Sequence, residues 1–74
     1  MSEAATKLLS ETLGKTVLIK LRGDKNIRGK LRSFDIHLNI VLDDAEEIRD
    51  DGTSKKLGTV VIRGENVVLI SPSG

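Results

Sequence analysis

The stretch Ser33-Phe34-Asp35-Ile36-His37-Leu38-Asn39 decides how the rest of the chain is read. It contains the only Phe and the only His among 74 residues, beside an Asp and an Asn. Upstream, Ile27 and Leu31 alternate with the basic residues Arg28, Lys30 and Arg32, the pattern of a half-buried strand. At Ser33 and Phe34 the alternation slips by one, so the strand bends or ends there. Downstream, Ile40, Val41 and Leu42 open a second apolar run. Asp35, His37 and Asn39 are therefore expected in a tight connection between two strands, a place where binding chemistry is commonly held by a rigid sheet.

Seventy-four residues make one domain, spanning 1–74, whose core is expected to supply only roughly 3–5 kcal/mol. There is no Cys for a disulfide, and no set of Cys or His for a structural zinc. Oligomerisation is the common remaining route to stability. The opening residues MSEAATKLL lack the basic start and apolar run of a signal peptide. No apolar stretch approaches the roughly 20 residues that span a bilayer. The expectation is a soluble, intracellular, cytoplasmic protein. Twelve basic and 11 acidic residues give a formal net charge of +1, so any anion binding must be local. One Phe, with no Tyr or Trp, counts against a groove for proline-rich peptides and against an aromatic RNA-binding sheet.

One helix is expected over about 3–13, with Ser2 as its cap, Glu3 in its first turn and Gly14 in a left-handed position beyond it. Ala4 and Leu8, with Ala5, Leu9 and Leu13, form a narrow apolar stripe that must lie on a sheet. In the following strand, Thr16 to Arg22, Val17, Ile19 and Leu21 face one side. Gly23 to Asn26 is turn chemistry leading back as a hairpin. The tripeptide Arg22, Gly23, Asp24 matches a cell-adhesion motif but reads here as a plain turn. Gly29, mid-strand, marks a sharp curve or the close approach of another backbone.

A third strand is expected from Ile40 to Glu47, a polar connection over 48–56 turning at Asp51 and Gly52, and two more strands at Leu57 to Ile62 and Val67 to Ile70. Pro72 and Gly74 close the chain. The runs GTVVI and NVVLI are apolar on both faces, although five short strands cannot cover them all. Exposed edges of that kind call for a specific partner edge, of which the simplest is another copy of the chain. Head-to-tail pairing of this type closes into a ring if the rotation permits.

Residues Leu13 through Glu47 resemble the first motif of the Sm and Sm-like (LSm) family, and Leu57 through Ile70 resemble the second. Gly29, Phe34, Asp35, Asn39, Arg63 and Gly64 all fall in register. The short length, the absence of an Arg-Gly-rich tail and His37 make the chain most similar to an archaeal Sm-like protein. The Tyr-Lys-His signature of the bacterial Hfq branch is not matched, since that place reads Ile62, Arg63, Gly64. A Pro that often starts the family's helix is also missing.

The resemblance implies an N-terminal helix capping a strongly bent five-stranded antiparallel sheet, an open barrel. The fourth strand of one subunit would pair with the fifth of the next in a homoheptameric ring. It further implies binding of U-rich single-stranded RNA at the pore, in RNA processing or metabolism, by Asp35, His37 and Asn39 from the first motif with Arg63 and Gly64 from the second. No cofactor, metal, membrane or small-molecule substrate is implied.

Those residue types suit uracil, which presents an N3 donor beside an O4 acceptor. The Asn39 carboxamide offers the complementary pair, but flipped over it would match cytosine equally well. Asp35, acceptor-only when ionised, is expected to hold one amide hydrogen and so fix which base is read. The planar His37 ring and Arg63 guanidinium would sandwich the base, at roughly 1–3 kcal/mol per stack, with no preference among bases. Gly64 is expected to let backbone approach the nucleotide closely.

Plainer roles compete with these. Asp35 and Asn39 also suit a turn that binds its own backbone, His37 a solvated loop, and Arg63 a surface pair with Glu65 or Glu47. The carboxylates Asp43, Asp44, Glu46 and Glu47 sit on a strand that splits them between two faces, against a cation site. With one His and no Cys there is no evident nucleophile and base, so no enzyme is expected. A structural or protein-interaction ring without RNA is the rival function.

Overall fold

The computed structural model describes residues 3–73. Ser2, expected as the helix cap, and Gly74 lie outside the described residues. Helix α1 covers Glu3–Thr12, followed by strands β1 (Thr16–Leu21), β2 (Lys25–Phe34), β3 (Ile40–Ile48), β4 (Ser54–Ile62) and β5 (Val67–Pro72). A single 3-10 turn, Gly64–Asn66, joins β4 to β5. The strands form one antiparallel sheet in the order β4-β3-β2-β1-β5, the bent five-stranded architecture expected.

The bend has local causes. Register shifts fall in the β2–β3 pairing between Arg28 and Lys30 and between Leu31 and Ser33, the second where the alternation slips. A Cβ at Gly29 would lie 3.1 Å from Ala45 Cα, the Asp43 carbonyl oxygen and Leu42 Cβ, so β3 crosses closely there. The hairpin after β1 turns through the three residues 22–24, with Gly23 at φ +82° and Asp24 at φ +59°, both in the left-handed region. Gly14, at φ +82°, carries the chain away from the helix.

The alternation along β1 and β2 sends Val17, Ile19, Ile27 and Leu31 inward, where Ile40, Leu42, Ala45 and Ile62 complete the core. Of the helix's apolar residues only Leu9 is fully buried, together with Thr12, whose hydroxyl donates to the Leu8 carbonyl at 2.7 Å. Leu8 and Leu13 remain 52% and 45% exposed, which corrects the expected stripe. Ala5, Leu8 and Leu9 instead line one wall of an apolar groove whose other wall is Leu38 and Val67 through Ile70.

Two strand limits also differ from the sequence reading. β4 starts at Ser54, not Leu57, because Lys55 and Lys56 stand opposite Glu47 and Glu46, and such opposite charges stabilise a strand pair. The connection expected over 48–56 shrinks to a turn of 49–53, closed by the Asp51 carboxylate accepting from the Thr53 N–H at 2.9 Å and hydroxyl at 2.6 Å. β5 continues to Pro72, with Ser71 and Pro72 opposite Leu18 and Val17. β4 and β5 are the sheet's two edges and leave Val61 71%, Val68 60% and Leu69 53% exposed. Among the described residues no helix is long and apolar enough to cross a membrane.

Candidate functional site

Between Phe34 and Ile40 the chain reverses in five residues, 35–39, wound around one carboxylate. The Asp35 N–H donates to the Asn39 carbonyl at 3.1 Å, and the Leu38 N–H donates to the Asp35 carbonyl at 3.0 Å. Leu38 takes φ +60°, a left-handed conformation that leucine rarely adopts. Asp35 Oδ1 accepts from the backbone N–H groups of His37 at 2.9 Å and Asn39 at 3.0 Å, while its Oδ2 accepts from Asn39 Nδ2 at 3.0 Å. The Asn39 side-chain amide, then its backbone N–H, holds the Asp35 carboxyl below the usual carboxylate range, with smaller help from His37.

The second loop fixes the other end of the same amide. Asn39 Oδ1 accepts from the Gly64 N–H at 2.8 Å, a contact across 25 residues of sequence. Turning the amide over would set its oxygen against a carboxylate and its NH2 against an N–H, so both neighbours enforce one orientation. Beyond these bonds Nδ2 keeps one hydrogen and Oδ1 one lone pair. Gly64 is required by space: a Cβ there would lie 1.8 Å from the His37 carbonyl oxygen. The close approach that Gly64 permits is thus to the neighbouring loop, whereas sequence reasoning assigns that space to a nucleotide.

Together the loops form an open depression lined by His37, Asn39, Arg63, Gly64 and Glu65. Four of the five residues expected from the sequence therefore meet on one surface. The fifth, Asp35, does not line it and acts through Asn39. Arg63 follows β4 in extended conformation, and its Nε lies 3.6 Å from Glu65 Oε1, a pair 76% and 65% exposed and correspondingly weak. The sequence marks Glu65 only as a surface partner of Arg63. Its position two residues past Arg63 is the available signal that it shares the depression.

The acidic residues of β3 have other work. Asp43 receives Arg32 through Nε to Oδ2 at 2.8 Å and Nη2 to Oδ1 at 2.8 Å, and also the Thr59 hydroxyl at 2.9 Å. Those bonds, Arg32 first, keep the Asp43 carboxyl below its ordinary range, and the same pairing raises the Arg32 guanidinium. Glu46 pairs with Arg28. Among the described residues no group of three or more His, Asp and Glu is placed to hold a metal ion.

Residues 7–72 match the LSM domain. An Sm-like protein of Thermococcus kodakarensis is 47% identical over 72 residues, which cover 97% of this chain and 95% of that one. The crystal structure of a heptamer from P. aerophilum superposes with a TM-score of 0.93 at 51% identity, covering 100% of this chain and 99% of that chain. A Pyrococcus abyssi Sm protein, solved in complex with a uridine heptamer, superposes with a TM-score of 0.86 at 46% identity, over 92% of this chain and 96% of that one.

Proposed function

Since this chain belongs to the LSM domain family, we propose that it assembles as a homoheptameric ring and binds U-rich single-stranded RNA at the ring's pore, in RNA processing or metabolism. The geometry of Asn39 carries the base-reading part of this proposal. Its remaining hydrogen and lone pair complement the uracil O4 acceptor and N3 donor, and they are held in the order that uracil requires by Asp35 and Gly64. His37 and Arg63, lining the same depression, are the stacking faces. Asp35 and Gly64 are positioning residues. The site binds and releases its strand without chemistry, and we place it in the cytoplasm.

Assembly follows from the two free edges. β4 of one copy adds to β5 of the next, and its apolar side chains cover the groove of Ala5, Leu8, Leu9 and Val67 through Ile70. Copies around a ring raise the effective concentration of each depression for a continuous strand, so individually weak sites bind tightly together.

Replacing Asp35→Asn removes the acceptor-only partner, and the carboxamide put in its place tolerates either orientation of the Asn39 amide. The preference for oligo-U over oligo-C is expected to fall on the order of tenfold per site. Titration of both strands onto the intact ring checks this, and an undiminished preference contradicts it. The sign of the acid response follows from the direction of the shift. Because folding depresses the Asp35 carboxyl, what it contributes is complete above the unfolded value of about 3.9 and is lost as pH falls through the folded value below it. A 13C titration of the Asp35 carboxyl is expected to give a midpoint under about 3.9; a midpoint above it would refute the assigned bonds.

A further inference from the structure

We infer that Arg22 is a phosphate-contacting residue of this same interface, placed beside the base-reading depression by the far end of the β4–β5 connection. That connection has two anchors. At one end Gly64 packs on the loop of 35–39. At the other, the Arg22 N–H donates to the Asn66 carbonyl at 2.9 Å, and Leu21 pairs with Val67. Gly64 and Asn66 open and close one 3-10 turn, with only Glu65 between them. Arg22 is therefore tied to the loop that presents Arg63, although it lies 41 positions earlier in the sequence.

Its charge is also available. Among the described residues Arg22 forms no ion pair, with Asp24 of its own turn or with any other carboxylate, and it is exposed. Arg28 and Arg32, on the outer face of β2, are instead engaged by Glu46 and Asp43. The positive φ angles of Gly23 and Asp24 close the turn tightly and hold Arg22 at the strand end.

The need for such a cation is set by the depression itself. Its single guanidinium, Arg63, faces Glu65, and with a net charge of +1 the chain supplies no general attraction for a polyanion. A base seated against Asn39 leaves its phosphodiester at the rim, and among the described residues Arg22 is the arginine, free of any carboxylate, whose backbone is bonded to the turn forming that rim. Phosphate contacts of this kind add affinity and register but carry no base preference. The role rests on the base-reading proposal above and extends it from the base to the backbone of the strand.

The test compares parent, Arg22→Gln and Arg22→Lys rings, titrated with oligo-U and oligo-A of equal length over a range of salt, with ring mass checked for each. Arg22→Gln is expected to weaken both strands by the same factor. It should also flatten the plot of log affinity against log salt by about 0.7 for each subunit whose Arg22 meets a phosphate. Arg22→Lys should retain most of the parent slope, which excludes a folding defect at this position. A U-preferring parent whose slope is unchanged in Arg22→Gln overturns this role alone, as does a loss confined to oligo-U. A parent ring that binds neither strand overturns both this role and the base-reading proposal.

Discussion

Gly64→Ala is expected to abolish uracil preference and to destabilise the fold, because an added Cβ meets closer atoms there than at any other described glycine. The added carbon would lie 1.8 Å from the His37 carbonyl oxygen and 2.9 Å from both the His37 and Leu38 carbonyl carbons. All three are backbone atoms of a loop already fixed by Asp35, so none can rotate aside as a side chain would. The two loops must separate, and the 2.8 Å bond from Gly64 N–H to Asn39 Oδ1 is lost with the contact. Forcing a group into a filled space costs roughly 1–3 kcal/mol, and a rigid backbone neighbour puts this case at the upper end. For a domain of this size that corresponds to a fall in Tm of about 10–20 °C. Thermal unfolding and paired oligo-U and oligo-C titrations check both effects. A variant with the parent's Tm and the parent's preference would mean that the loops do not touch as described.

Val68→Asp is expected to take the ring apart. Val68 is 60% exposed on edge strand β5 and lines the apolar groove with Leu8 and Leu9, so within one chain an aspartate there stays in water. Covered by β4 of a neighbouring copy, the same carboxylate loses its hydration in an apolar groove. The chain should then run as a smaller species at micromolar concentration, with its sheet signal kept in the cold and its melting lowered by the loss of assembly. Affinity for long oligo-U should drop by about 10²–10⁴, because the sites no longer act on one strand together. Analytical ultracentrifugation and strand binding read the two effects. A ring of unchanged mass would show that β5 is not the assembling edge.

What can be read from the residues in order is what depends on near neighbours. The alternation of Val17, Ile19 and Leu21 marks β1 and its inner face, and the slip at Ser33 and Phe34 marks the bulge that turns β2 into the site loop. Asp35 holding the Asn39 amide joins residues four apart, so the types alone suggest it. What escapes the reading depends on distant partners. The Gly64 N–H reaches Asn39 only because the sheet curls β4 back along β3, with Ile62 opposite Ile40, and no local pattern announces that. Lys55 and Lys56 look like loop because the Glu47 and Glu46 that make them a strand lie across the hairpin turn, outside the local pattern. Leu8 and Leu13 are expected inside on the premise that an apolar stripe faces its own sheet, whereas the groove beside Leu8 opens onto the free edge of β5.

Native mass spectrometry of the purified protein, mixed in turn with a uridine heptamer and a cytidine heptamer, reads ring assembly and base choice together. A species of seven chains that retains one uridine strand and releases the cytidine strand is expected. A single chain at micromolar concentration, or a ring that keeps the two strands equally, would contradict it.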